Sequence, residues 1–167
     1  MKVNLIALCV LTWFMSGCSR KEIYKIDDET YRVYKEISGR KKEIQALDLS
    51  GGNLNKVPLD SLSGLVFLDI SNNDLEELPG SICGLQGLKA LRLNDNSIKK
   101  YPECFFELPM LNWLSLLNCG DTIPRQVLRL PLDGLLISAD ELKESEWDFL
   151  NSDSINFRVI TIYNDSY

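Results

Sequence analysis

The sequence contains no histidine. This absence excludes Ser-His-Asp and Cys-His nucleophile activation, histidine-ligated zinc and imidazole acid–base chemistry. Basic residues are also in the minority, with 18 Lys and Arg against 24 Asp and Glu and a net charge of -6. No basic stripe is therefore available to follow a phosphate backbone. Since phosphate-binding and dinucleotide-binding motifs are also missing, we predict no enzyme, no cofactor, no metal site and no nucleic-acid partner.

Long apolar runs are scarce as well. The N-terminal run from Leu5 to Met15 has eleven residues, too few for a helix to cross a hydrocarbon core of about 30 Å. Lys2 precedes this run and small residues follow it, a pattern typical of a cleaved signal peptide. We therefore predict that residues 1–17 are removed.

The end of this segment, Ser16-Gly17-Cys18, resembles the lipobox of bacterial lipoproteins. The resemblance implies cleavage before Cys18, a diacylglyceryl group on its thiol and acylation of the new amino terminus, which together anchor a protein to a membrane. Ser19 favours the outer membrane by analogy with enterobacterial sorting. The alternative is an ordinary secretory peptide followed by a coincidental cysteine.

A pattern of apolar residues recurs every 23 residues in the middle of the chain. It reads Leu65-x-x-Leu68-x-Ile70-x-x-Asn73-x-Leu75-x-x-Leu78-Pro79, and then Leu88-x-x-Leu91-x-Leu93-x-x-Asn96-x-Ile98-x-x-Tyr101-Pro102. This pattern resembles the Leu-Pro-containing class of leucine-rich repeats. The resemblance implies an α/β solenoid, with a short curved parallel sheet on the concave face and a helical or irregular convex face.

Further units begin at Ile44, Leu111, Leu132 and Phe157, so we expect about six strands in a leucine-rich-repeat domain of residues 44–167 that includes a C-terminal cap. Residues 18–43 are predicted to be a lipidated linker and an N-terminal cap helix. Ser138-x-x-Glu141 is a candidate capping box for a C-terminal helix. The resemblance implies that the side chains of Asn73 and Asn96 bond backbone groups of the turn and of the adjacent repeat. Cys119 stands at the equivalent position of the next unit, where cysteine is a known variant in the family.

Strand side chains alternate in direction, so positions 3, 5 and 7 of each unit should project from the concave sheet. In the last unit, positions 3 and 5 are assigned to Val159 and Thr161. Aromatic residues and arginine dominate the energetics of many interfaces. The predicted partner-binding residues are Phe67, Asp69, Arg92, Asn94, Trp113, Ser115 and Leu117. The alternative is that Phe67 and Trp113 only shield gaps over Ala and Gly.

Two weaker patterns involve carboxylates and thiols. Asp48 and Asp69 should stack in adjacent repeats, where a pair could bind a cation, although a solvated acidic rim is the commoner outcome. Cys83 and Cys104 lie in neighbouring repeats, on the return side, where the chain runs back opposite the strands. Their positions within the repeat differ by two residues. A disulfide between them is conceivable but not indicated, and we expect buried apolar cysteines there and at Cys119.

The sequence thus predicts a membrane-tethered module for protein–protein interaction at the bacterial cell envelope, with a protein partner of unknown identity. Two alternatives are a structural or envelope-assembly component, and a non-catalytic accessory subunit of a surface enzyme or uptake complex. Fold alone does not choose among them.

Overall fold

The computed structural model of the chain describes residues 44–52, 59, 62–120, 122–139 and 142–150, and the backbone of residues 23–25 and 158–162. The predicted signal peptide and Cys18 lie outside the described residues. So does the N-terminal region apart from residues 23–25, so the predicted cap helix is not seen in the described part.

In the described residues, seven short strands form one sheet, in which each strand pairs in parallel with the next one along the chain. They are β1 (Ile23–Lys25), β2 (Ala46–Asp48), β3 (Phe67–Asp69), β4 (Ala90–Arg92), β5 (Trp113–Leu116), β6 (Gly134–Ser138) and β7 (Arg158–Ile162). This topology confirms the predicted solenoid and its six strands. β1 was not predicted, because three residues outside the repeat pattern carry no recognisable signal.

The described part of the return side, opposite the sheet, includes three 3-10 helices, η1 (Gly80–Gly84), η2 (Glu103–Glu107) and η3 (Arg125–Arg129). Each follows a proline, Pro79, Pro102 or Pro124, whose φ lies between -65° and -63°. Proline fixes φ near this value and lacks an N–H that would go unsatisfied at a helix start. The repeated proline therefore starts each return helix at the same place.

The core fills the space between the sheet and these return helices. Its central row is a leucine from each of five strands, all no more than 1% exposed: Leu47, Leu68, Leu91, Leu114 and Leu135. Ile82, Phe105 and Val127 complete it from η1, η2 and η3. Since one repeat cannot bury such a row alone, the repeats stabilise each other only when stacked.

The register of the last strand differs from the sequence prediction by one residue. Arg158, rather than Val159, stands opposite Gly134, so Val159 pairs with Leu135 and Thr161 pairs with Ile137. The segment from Phe157 to Ile162 has apolar residues at both odd and even positions. A pattern of period two therefore does not fix its register.

The C-terminal helix α1 (Glu144–Leu150) follows β6. The predicted capping box is wrong, because Ser138 is the last residue of β6 and its hydroxyl accepts a hydrogen bond from the Asn118 N–H at 2.8 Å. The same hydroxyl donates to Asn118 Oδ1 at 2.9 Å. α1 instead docks on η3 through buried Glu146, which forms an ion pair with Arg125 at 3.3 Å.

Asn73 and Asn96 connect successive repeats through a ladder of buried hydrogen bonds. Asn96 Nδ2 donates to the carbonyls of Ile70 and Leu93 at 3.0 and 2.7 Å, while its Oδ1 accepts from the N–H groups of Asn73 and Leu75. Asn73 Nδ2 repeats the pattern one turn earlier, on the carbonyl of Leu49 at 3.0 Å. The role implied by the family resemblance is confirmed.

Cys119 continues this ladder in the next repeat. Its thiol donates to the Leu93 carbonyl at 2.9 Å, the bond that corresponds to the one from Asn96 to Ile70. Cys119 is also a buried, reduced cysteine, as the sequence analysis expected. A small thiol thus replaces the amide where the neighbouring carbonyl still needs a donor.

Cys83 of η1 and Cys104 of η2 form a disulfide, so the expectation of free buried thiols at these positions is wrong. The two Cα atoms are 5.7 Å apart, within the range that a disulfide spans. The offset of two positions in sequence is tolerated because adjacent return helices lie side by side. The bond joins two residues that are 21 positions apart in the sequence, one in each of two neighbouring repeats.

Removing this disulfide should destabilise the solenoid. In a loop-closure account, a loop of this size corresponds to about 3 kcal/mol of unfolding free energy. We expect the double variant Cys83→Ser, Cys104→Ser to lose that amount in urea unfolding, and the wild type in reductant to unfold at the same urea concentration as the variant. Identical unfolding of the oxidised and reduced wild type would contradict this expectation.

Replacing Asn96 tests the ladder. Asn96→Ala removes the donor to the carbonyls of Ile70, Leu93 and Asn94 and leaves the N–H groups of Asn73 and Leu75 without their acceptor. We expect a loss of about 2–4 kcal/mol, since each unsatisfied buried group costs roughly 1–3 kcal/mol. Ser97→Ala, at the exposed neighbouring position, is the control and should change stability by less than about 0.5 kcal/mol. Equal effects of the two substitutions in urea unfolding would disprove the role of the ladder.

Candidate functional site

The concave face consists of three rows of side chains on the surface of the sheet opposite the core. Residues at the same position of neighbouring strands lie side by side. The first row is Ala46, Phe67, Ala90, Trp113 and Gly134. The second row is Asp48, Asp69, Arg92, Ser115 and Leu136. The third row is Ser50, Ser71, Asn94 and Leu117, which follow their strands, and Ser138, which is the last residue of β6. All seven predicted partner-binding residues therefore lie together on β3, β4, β5 and the turns that follow β4 and β5.

The two aromatic residues of the first row flank the small, buried Ala90. Phe67 and Trp113 are both half-buried. The Trp113 ring lies against Gly134, because a Cβ atom on Gly134 would stand 2.5 Å from Trp113 Cζ3. Trp113 thus covers the glycine, as the shielding alternative expected, while part of it remains accessible at the surface.

Arg92 and Asp69 form an ion pair in the middle of the face. Arg92 Nη1 lies 2.9 Å from Asp69 Oδ2, and Asp69 Oδ1 accepts the N–H of Ser71 at 3.0 Å. The Asp69 side chain is 8% exposed, whereas that of Arg92 is 30% exposed. A guanidinium has five N–H donors, so Asp69 holds Arg92 in place and leaves other donors for an external acceptor.

Asp48 and Asp69 stand side by side on β2 and β3, as predicted, and each carboxylate accepts the N–H of the serine two residues later. Asp48 Oδ1 accepts from both the N–H and the hydroxyl of Ser50, at 2.9 and 2.6 Å. Asp69 makes the corresponding bond to Ser71 and is also neutralised by Arg92. Within the described part of the chain, no group of three or more Cys, Asp or Glu residues is placed to hold a metal ion.

The side chains of Asn94 and Ser115 are hydrogen-bonded to each other. The Ser115 hydroxyl donates to Asn94 Oδ1 at 2.6 Å, and the N–H of Leu117 donates to the same oxygen at 3.2 Å. Asn94 and Ser115 are each 6% exposed. Like Asp69, they lie beneath the accessible surface of the concave face and support it. The accessible part of the predicted set is therefore Phe67, Arg92, Trp113 and Leu117, which we call the concave patch.

Sequence analysis missed a polar rim at the ends of the strands. Asn72, Asp95 and Asn118 occupy the same place in successive turns, each with φ of 55°. Asn118 Nδ2 donates to Asp95 Oδ1 at 2.8 Å. Asn and Asp adopt this left-handed conformation more readily than other non-glycine residues. The signal was present in the sequence as a polar residue just after position 7 of three successive units.

Tyr101 is a core residue rather than an acid–base candidate. Its ring packs against Phe105 and Phe106, with centroids 5.7 and 5.8 Å away. Burial raises the pKa of its hydroxyl well above the ordinary value, and the proximity of Cys119 raises this pKa further. Tyr101 therefore stays protonated at physiological pH.

None of the helices in the described ranges is both long and apolar enough to span a membrane.

The contact between Trp113 and Gly134 can be tested by substitution. Gly134→Ala places a methyl group in the indole ring, so we expect a shift of tryptophan fluorescence and a loss of about 1–3 kcal/mol from overpacking. Adding Trp113→Ala should relieve most of this cost, because the two positions are in contact. Gly87→Ala is the control, since a Cβ there meets its neighbours at ordinary distances of 3.6 and 3.8 Å. Equal effects of the two glycine substitutions would show that Trp113 does not lie on Gly134.

Comparisons with known proteins identify the repeat. Residues 63–120 match the family model described as "Leucine rich repeat". The chain is 34% identical to Leucine-rich repeat and calponin homology domain-containing protein 1 of Mus musculus over 102 residues, which cover 58% of this chain and 14% of that protein.

Two solved structures share the architecture. An internalin C2 of Listeria monocytogenes str. 4b F2365 has a TM-score of 0.54 and 22% identity, over 74% of this chain and 55% of that one. An internalin (inlF) of the same strain has a TM-score of 0.51 and 12% identity, over 77% and 46%. The chain thus spans about half of each internalin and a small part of the mouse protein. It folds as a leucine-rich-repeat solenoid, a fold that generally serves as a non-catalytic protein-interaction module.

Proposed function

We propose that this protein is a membrane-anchored leucine-rich-repeat module that binds a protein partner through its concave patch at the bacterial cell envelope. The proposal rests on which side chains of the concave face are accessible to solvent. Asp69, Asn94 and Ser115 are buried and bonded internally, while Phe67, Arg92, Trp113 and Leu117 keep accessible surface. The patch combines aromatic, guanidinium and aliphatic groups.

The rigidity of the patch favours binding. Arg92 is fixed by the Asp69 carboxylate, and Trp113 is fixed by the backbone of Gly134. Both belong to the sheet itself and not to a loop. Side chains that are ordered before binding lose less conformational entropy when a partner arrives. Aromatic residues and arginine that are held in this way are the usual sites of large binding energies.

Two features support an extracytoplasmic location. The Ser16-Gly17-Cys18 segment follows a signal-peptide pattern, and its proposed acyl chains would anchor the mature protein without any membrane-spanning helix. The Cys83–Cys104 disulfide is of a kind that persists outside the reducing cytoplasm. Ser19 after the proposed acylated cysteine favours the outer membrane.

Proximity labelling in intact cells tests the binding surface. The full chain carrying Phe67→Ala, Arg92→Ala and Trp113→Ala should lose the protein neighbours that the wild type labels. The matched control carries Met110→Ala, Leu128→Ala and Lys99→Ala, which also truncate two apolar side chains and one basic side chain at exposed positions outside the patch. This control should keep the same neighbours. Urea unfolding establishes that both variants are folded, and unchanged neighbours for a folded patch variant would refute the proposal.

A further inference from the structure

The first strand of the sheet begins close to the proposed anchor. β1 starts at Ile23, five residues after Cys18. β1 pairs with β2 in parallel, with Ile23 opposite Ala46 and Lys25 opposite Asp48. The sheet therefore extends to within a few residues of Cys18, where sequence analysis predicted a linker and a cap helix.

The number of intervening residues limits how far the solenoid can stand from its anchor. Five residues at full extension span at most about 18 Å, whatever their conformation. The β1 edge of the sheet thus lies no more than about 18 Å from the acylated residue. No long tether separates the folded domain from the lipid.

The order of the strands places the concave patch at a bounded distance from the same point. The strands follow each other from β1 to β7 without a crossover. Neighbouring strands are about 4.8 Å apart, so β3 lies about 10 Å and β5 about 19 Å from β1. The patch on β3, β4 and β5 is therefore at most about 37 Å from Cys18.

Resting on the proposed acylation of Cys18, we infer that the solenoid stands on the membrane by its β1 edge, and that the concave patch binds a protein held in or on that same membrane. A partner must present its recognised segment within reach of the patch. A protein that is held in or on the same membrane stays within this distance of the patch, because it diffuses only along that membrane. Arg20 and Lys21, directly after the anchor, suit anionic headgroups at this short distance.

The height of the solenoid can be measured on the lipidated full chain in vesicles. A donor dye is attached at Gln45→Cys, an exposed position beside β2, or at Glu144→Cys, an exposed position at the start of α1. The buried Cys119 and the disulfide are not available for labelling. Energy transfer to headgroup-labelled lipid then reports the distance of each site from the membrane surface.

We expect the Gln45 site to lie nearer the membrane, within about 25 Å, since it is one strand from β1. The Glu144 site, beyond β6, should lie farther away. Insertion of fifteen Gly/Ser residues between Glu22 and Ile23 should increase both distances and remove the difference. Equal distances without the insertion, or a nearer Glu144 site, would overturn the inferred orientation. Cys18→Ala separates the two proposals, because retention of that variant on membranes would instead refute the anchor itself.

The partner is tested by a photo-crosslinking residue in place of Leu117 in cells. The protein that crosslinks there should also sediment with membranes in cells that make only the Cys18→Ala variant, because it has an attachment of its own. Recovery of that protein in the soluble fraction of those cells would refute the inference about the partner, and would leave the orientation and the binding surface standing.

Discussion

In three successive repeats, the side chain at one equivalent position donates a hydrogen bond to a carbonyl of the repeat before it. Asn73 bonds Leu49, Asn96 bonds Ile70, and Cys119 bonds Leu93. The turns after the strands leave backbone groups inside the solenoid that water cannot reach, and these side chains satisfy them. The leucine rows supply most of the hydrophobic free energy, but they do not define a register. The ladder fixes the position of each turn relative to the next one. It therefore also fixes the positions of the strands and of the side chains on the concave face.

The convex side has its own connections between successive units, one disulfide and two ion pairs. η1 and η2 are joined by the disulfide, η2 and η3 by the ion pair of Glu103 with Arg129, and η3 and α1 by the ion pair of Arg125 with Glu146. The disulfide contributes more than the ion pair of Glu103 with Arg129, because that pair is exposed and exposed ion pairs add little to stability. Together with the ladder, these connections hold both sides of the solenoid, so the concave patch is displayed on a stiff surface.

Much of this architecture was predictable because the repeat pattern reflects packing directly. Leu68 and Leu91 must occupy equivalent core sites, and Asn96 must bond the turn beside it. Features that depend on three-dimensional proximity were not predictable. The disulfide depends on how η1 and η2 lie side by side, the burial of Asp69 depends on Arg92 folding over it, and Ser138 bonds Asn118 instead of capping a helix. β1 was missed because three residues are too few to show a repeat.

The positions of the side chains in the concave patch depend on the hydrogen-bond ladder beneath them. Backbone hydrogen exchange of the native protein measures this dependence directly at the N–H groups of Asn73 and Leu75, which Asn96 Oδ1 accepts. We predict that both exchange only through global unfolding, with a protection free energy equal to that measured by urea denaturation. Exchange of either N–H at the rate of an unprotected amide in an unfolded chain would contradict the account.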